Sequence, residues 1–223
     1  MTTKSITYPP RPKRSIPPNK INDYEKLGYV GQLKFNGTRV MVEFLPDGEI
    51  KLWTRHLEAP KQFKMPGSML DSLKVVHEIL GLGQWHILDG ELLHSKTKGI
   101  KNTIVFFDIL VHEGERSIGT TMLERHTFLL NAFTDSEQDD AVHESITGKK
   151  VAIDLGFDTH NHLWLAETFF FNLEGNYNRA LDLDEIEGLV LKRPDGKLKH
   201  GHSKDNNSEW QIRCRKPTKN YRF

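Results

Sequence analysis

Lys34-Phe35-Asn36-Gly37-Thr38-Arg39 is the stretch on which the reading of this chain turns. Before it, Tyr29 to Leu33 is strand-like. After it, Val40-Met41-Val42-Glu43-Phe44-Leu45 and Glu49-Ile50-Lys51-Leu52-Trp53 flank Pro46-Asp47-Gly48, the pattern of a β-hairpin closed by an Asp-Gly turn. Lys34 therefore stands at a strand end, and the glycine three residues on lets backbone approach a ligand closely. Taken alone, the same six residues also read as a surface lysine before an Asn-Gly turn.

Outward from this centre the elements alternate irregularly. Ser68 to Leu80 places Met69, Leu70, Leu73, Val76 and Ile79/Leu80 at helical spacing, closed by Gly81. Trp85 to Leu88 and Ile104 to Phe107 read as buried strands. Thr121-Met122-Leu123-Glu124 fits a capping box that opens a helix through about Phe133. Residues 134–148 read as an acidic loop, 163–171 as one strand, and 188–192 and 210–215 as the last two. The expected fold class is α+β with a largely antiparallel sheet. Residues 1–20 read as an extended basic arm, and residues 21–223 as the folded domain.

Composition removes several classes. Of 223 residues, 37% are hydrophobic and 27% charged, which suits a globular chain rather than a disordered one. No run of 18 apolar residues is present to cross a membrane, and the first residues lack the apolar core of a signal peptide. A single cysteine, Cys214, excludes a disulfide scaffold and a cysteine-rich zinc site, and fits a reducing, intracellular setting. The net charge is +1, yet residues 1–20 carry five Lys or Arg and no acid, and residues 192–223 carry ten against three acids. Basic ends around an acidic body fit a polyanionic partner met at one face, and equally a solvated tail at each end.

Four further stretches carry candidate chemistry. Asp89-Gly90-Glu91-Leu92 follows apolar Ile87-Leu88 and sets two carboxylates at a strand end, as a ligand site or a solvated turn would. Val105-Phe106-Phe107-Asp108 sets an aromatic ring beside a carboxylate, suited to stacking on a base or simply to a core. Glu187-Gly188-Leu189-Val190-Leu191-Lys192 brackets an apolar strand with an acid and a base. Strict alternation puts 187, 189 and 191 on one face and 188, 190 and 192 on the other, so Glu187 and Lys192 form no simple pair. Arg213 and Arg215 share a strand face as a cationic clamp suited to phosphate.

In this order, the stretches resemble the covalent nucleotidyltransferase superfamily of ATP-dependent DNA ligases, RNA ligases and mRNA-capping enzymes. Lys34 to Arg39 is similar to its Lys-x-Asp-Gly-x-Arg signature, with Asn36 where aspartate is usual. Thr54-Arg55, Asp89 to Leu92, Phe107-Asp108, Glu187 to Lys192 and Arg213 to Lys216 resemble the later motifs, with arginines where the last normally has lysines. Leu123-Glu124-Arg125 resembles the helix that follows the aromatic motif in DNA ligases. The similarity spans about residues 29 to 216. It implies a ligase-type adenylation domain, antiparallel sheets flanked by helices around an ATP-grasp-like cleft, without an OB domain after it.

The resemblance further implies ATP as substrate with Mg²⁺ or Mn²⁺, and Lys34 as the nucleophile that forms lysyl-AMP. It implies Arg39, Lys192, Arg213 and Arg215 as the cationic groups that act with Lys34, and Glu91 and Glu187 as carboxylates near metal or ribose. Phe107 would stack on adenine, Gln32 would accept from its amino group, and Arg55 would contact a phosphate. The implied activity is sealing of 5′-phosphate/3′-hydroxyl nicks in DNA or RNA-containing duplexes by a monomer, in the cytoplasm of a bacterial or phage-infected cell. A capping-type guanylyltransferase and a non-catalytic nick- or nucleotide-binding module are the alternatives. A lysine amine is protonated near neutrality, with a pKa of about 10.4, so any such chemistry needs surroundings that release its proton.

Overall fold

The computed structural model describes residues 8–134, 142–144, 150–155 and 157–217. In chain order the elements are β1 (Arg11–Ser15), α1 (Ile21–Lys26), β2 (Val30–Phe35), β3 (Thr38–Phe44), β4 (Ile50–Thr54), α2 (Gly67–Leu80), β5 (His86–Leu93), β6 (Thr103–His112), β7 (Glu115–Arg116) and α3 (Met122–Phe133). Then come β8 (Val142–Glu144), β9 (Lys150–Asp154), β10 (Leu163–Ala166), β11 (Thr168–Phe169), α4 (Leu173–Ala180), β12 (Ile186–Lys192) and β13 (Asn207–Arg215). The fold is α+β, as the pattern of elements suggests. Among the described residues no helix is long and apolar enough to cross a membrane.

Two sheets form. The smaller runs β1-β13-β12-β2-β11; the larger runs β4-β3-β5-β6-β10-β9-β8, with β7 paired to β6. Pairing is antiparallel except for β1 with β13 and β10 with β6. Each sheet buries one face under helices. Val40, Val42, Phe44, Leu88, Ile104 and Phe106 of the larger sheet pack against Met69, Leu73, Val76 and Leu80 of α2 and Leu129 and Phe133 of α3. Leu33, Phe35, Leu189, Leu191 and Ile212 of the smaller sheet pack with Ile21 of α1 and Leu173, Tyr177 and Ala180 of α4. α2 and α3 form because apolar residues recur at helical spacing, and their ends are marked as expected, whereas α1 and α4 were not expected from the sequence. Gly81 closes α2 at φ 110°. Thr121 accepts from the Glu124 amide, and Glu124 returns a bond to the Thr121 amide, a closed capping box.

The structure departs from the sequence-based expectations at several places. Arg11–Ser15 of the basic arm is a sheet strand, paired to β13, because its extended, proline-limited backbone suits an edge position; residues 1–7 lie outside the described residues. The expected strand 163–171 is two: β10 joins the larger sheet and β11 the smaller, so this segment carries the chain between them. The strand expected to end before Asp89 continues to Leu93, and β6 continues to His112. Residues 142–144 of the expected acidic loop form a strand; most of that loop lies outside the described residues.

Candidate active site

β2 opens into the Asn36–Gly37 turn and β3, which carries the chain from the smaller sheet to the larger. The turn is held by main-chain bonds. The Asn36 amide donates to Glu185 O (2.8 Å), Thr97 Oγ1 to Asn36 O (2.8 Å), and Lys96 Nζ to Gly37 O (2.8 Å). Glycine is required at 37, where a Cβ would lie 2.5 Å from the Leu92 carbonyl oxygen. Lys34 and Arg39 thus leave opposite sides of one fixed turn.

Register decides which side chains face the cleft. Lys34 lies opposite Gly188, Gln32 opposite Val190, and Val190 opposite Arg213, so these positions share the face of the smaller sheet away from its apolar core. Glu187 would sit on the core face under strict alternation. The ladder instead skips it, pairing Ile186 with Phe35 and Gly188 with Lys34. This bulge turns Glu187 to the cleft, where its carboxylate accepts from Lys34 Nζ at 2.5 Å and lies 3.6 Å from Arg215 Nε. Gly188 permits it: φ is +137°, and a Cβ would lie 2.1 Å from the Cys214 carbonyl oxygen.

A second bulge shapes the opposite wall. Asp89 pairs with Asp108 and Gly90 with Phe106, so Phe107 drops out of the ladder. Its ring faces the smaller sheet, with the Arg39 guanidinium 5.4 Å and Lys192 Nζ 5.3 Å from the ring centroid. Arg39 Nε donates to Asp89 Oδ1 at 2.9 Å, and a second guanidinium nitrogen to Asp89 Oδ2. Arg125 forks onto Asp108 with bonds of 2.6 and 3.1 Å, and also donates to Thr120 O at 2.6 Å. Both carboxylates are buried. Burial pushes Asp89 up; burial acts the same way on Asp108, but the charge and hydrogen bonds of Arg125, with Lys192 nearby, hold it below the usual carboxylate range.

Lys192 is buried among these charges. Burial brings its ammonium down to about 8; Asp108 and Asp89 oppose the fall, and Arg125 and Arg39 add to it. Glu91 is pushed up to about 7, first by burial, against the pull of Lys34 and Arg39 and with Glu187 adding to the rise. Its Oε1 accepts from the Gly37 amide at 3.2 Å. Glu91 and Glu187, two carboxylates that repel each other beside the cations Lys34, Arg39 and Arg215, suit Mg²⁺ or Mn²⁺, which takes one or two protein carboxylates and completes its shell with phosphate oxygens and water. Among the described residues no group of three or more His, Cys, Asp or Glu could hold a metal without such a substrate.

The structure therefore gathers Lys34, Glu187 and Arg215, sets Glu91 beside them, and stacks Arg39 and Lys192 on Phe107. Gln32 and Arg213 lie on the same sheet face two residues from Lys34 and Arg215. Arg55 is exposed on the turn after β4 and bonds His56 rather than the cluster. Asp108, Arg125, Lys96, Thr97, Thr168 and His126 support the site and were not singled out for it from sequence, and Asp89, read there as one of two ligand-type carboxylates, pairs with Arg39 instead. For Asp108 and Arg125 the signal was their place inside quoted motifs; for the others there was none. A depression of about 520 Å³ lined by Leu27, Tyr29, Arg193 and Asp195 lies at the other end of β2 and β12, where Val30 pairs with Lys192.

No family profile matches this chain, and no curated protein matches it in sequence. Solved structures do match it in fold. The ligase domain of LigD from M. tuberculosis aligns at 16% identity over 82% of this chain and 53% of that one, with a TM-score of 0.50. A Lig E DNA ligase described as binding DNA with a minimal scaffold aligns at 15% identity over 95% of this chain and 70% of that one, at 0.54. The ATP-dependent DNA ligase of bacteriophage T7, solved with ATP, aligns at 12% over 93% of this chain and 68% of that one, at 0.51. The structural neighbours are thus nucleotidyltransferase domains of ATP-dependent DNA ligases, and at these identities the likeness is one of fold. The chain spans about half the length of the LigD structures it matches.

Proposed function

We propose that this chain is a nucleotidyltransferase of the polynucleotide-ligase type, which takes AMP from ATP onto Lys34 and passes it to the 5′-phosphate of a nicked duplex. The observation that carries this reading is the Lys34–Glu187 contact, 2.5 Å long and built by a bulge. Glu187 accepts the amine proton. The Lys34 nitrogen forms a bond to the α-phosphorus, and the bond from that phosphorus to the bridging oxygen breaks, releasing pyrophosphate. In the second step the 5′-phosphate takes the adenylyl group and frees Lys34. In the third a 3′-hydroxyl attacks the activated phosphate, seals the strand and releases AMP.

Each remaining residue has a part in this scheme. Phe107 and Val190 line the space for the base, and Gln32 meets its edge. Arg39, Lys192, Arg213 and Arg215 supply positive charge where the transferring phosphoryl group becomes more negative. Glu91 would hold the divalent ion with phosphate oxygens and water, which adds charge neutralisation at the phosphates, while Glu187 is engaged by the Lys34 amine. Arg55, at the rim, reaches a phosphate of the nucleic acid. The cationic strand β1 (Arg11, Lys13, Arg14) and the basic C-terminal segment hold the sugar–phosphate backbone independently of its sequence. The acting unit is a monomer in the cytoplasm.

The test is covalent label transfer from α-labelled ATP or GTP with Mg²⁺, read on a denaturing gel, followed by sealing of duplexes carrying a nick flanked by DNA or RNA. Label from ATP that disappears in Lys34→Ala is expected. Label from GTP alone would make the chain a capping-type guanylyltransferase, and no label from either would leave a binding module.

A further inference from the structure

Next to Gln32 lies a hydrogen-bonded chain that the transfer scheme does not use. Gln32 is buried at 2% exposure, on the same sheet face as Lys34 and two residues from it. Across the ladder it faces Thr168 of β11, and its Nε2 donates to Thr168 Oγ1 at 2.8 Å. The same hydroxyl lies 3.4 Å from Nδ1 of His126 on α3. His126 is itself buried. Its charged neighbours are Lys192 and Asp108; burial first, and then Lys192, bring its imidazole down to about 4, so it is neutral near pH 7.

The Gln32–Thr168 bond sets the direction of this chain. A hydroxyl has one hydrogen and two lone pairs. The Thr168 oxygen accepts from the Gln32 amide nitrogen, and its second lone pair or its hydrogen meets His126 Nδ1, whichever tautomer the neutral ring adopts. Gln32 Oε1 is then the group left for a ligand. We propose that Thr168, oriented by His126, fixes the Gln32 side-chain amide carbonyl-outward and thereby makes the site select adenine over guanine nucleotides. Adenine carries an amino donor at C6, which the carbonyl accepts. Guanine carries a keto oxygen there, which would face the carbonyl lone pair to lone pair. Without Thr168 the amide is free to turn and offer its N–H to that oxygen. Thr168 and His126 are positioning residues; Gln32 touches the base. The inference rests on the nucleotide reading of the cleft given above.

The experiment measures binding by calorimetry with α,β-methylene analogues of ATP and GTP, which occupy a nucleotide site without transferring. The native chain should prefer the adenine analogue. Thr168→Val should lower the ratio of the two affinities about tenfold or more, the scale of one buried hydrogen bond. Thr168→Ser keeps the hydroxyl and should keep the ratio. Gln32→Glu placed in the Thr168→Val chain should restore it, because a carboxylate presents only acceptors and needs no orientation. A native ratio in Thr168→Val, no restoration by glutamate, or no preference in the native chain would each overturn the inference. Label transfer from ATP in the same preparations tests the reading beneath it separately. A chain that binds selectively but takes no label refutes the transfer reaction and leaves the Thr168 relay standing.

Discussion

Lys192→Met should make the protein more stable and less active at once. Lys192 is 4% exposed, and its fall from 10.5 to about 8 measures what it costs the fold to keep this amine charged. Converted at 1.36 kcal/mol per tenfold, that is about 3 kcal/mol at pH 7, a ceiling on the gain when an apolar side chain of similar length replaces it. Asp89 and Asp108 keep their own arginines, so no carboxylate is stranded. For a chain of this size about 3 kcal/mol corresponds to a rise in Tm of up to roughly 10 °C.

The pH dependence has a definite sign. A lysine depressed in the folded state binds fewer protons there than in the unfolded chain between about pH 8 and 10.5, so native stability rises with pH in that window. The advantage of Lys192→Met should shrink across it. Label transfer to Lys34 should fall roughly a hundredfold or more, since one cation on the transferring phosphoryl group is lost. Thermal unfolding followed by circular dichroism at pH 7 to 10, with the label assay at pH 7, decides the matter. Melting at or below the native temperature at pH 7, or an advantage unchanged up to pH 10, would refute the argument that Lys192 is held charged against the fold for the sake of the reaction.

Asp108→Asn breaks a buried ion pair and leaves Arg125 uncompensated, so chemical denaturation should show a loss of about 3–5 kcal/mol, largely recovered in the double variant Asp108→Asn/Arg125→Leu. His126 is depressed from 6.5 to about 4, so its contribution is intact above pH 6.5 and lost as pH falls towards 4; denaturant midpoints over that range should drop less steeply in His126→Gln than in the native chain. Gly188→Ala places a methyl group against the Cys214 carbonyl at a φ that L residues avoid. It should cost about 2 kcal/mol or more and abolish label transfer even in the fraction that remains folded, because Glu187 no longer reaches Lys34.

Much of this molecule was legible along the chain. Apolar residues three and four apart in 68–80, the reciprocal Thr121–Glu124 pattern and the Asp47-Gly48 turn each encode local structure through short-range physics, and each appears in place. The short signatures are readable along the chain because each is confined to a strand or turn whose side-chain directions are set locally. What alternation could not supply was where the ladder breaks. Glu187 reaches the cleft only because one residue is skipped in β12, and a skipped residue is a property of two strands together; Phe107 faces it as the neighbour of core-facing Phe106 on the same face as Val105. The division of 163–171 between two sheets is likewise settled by what lies on either side of it.

Sequence by itself determined the strands on either side of Lys34, the helices over 67–80 and 122–133, and the place of the candidate nucleophile at a strand end. Only tertiary structure decided which charges meet. Asp89 with Arg39, Asp108 with Arg125, and the Gln32–Thr168–His126 chain join residues 17 to 136 positions apart. The physical reason is that a buried charge or polar group must find its partner in space, and the sheet register that supplies the partner is fixed by the packing of the whole molecule rather than by neighbours in the chain.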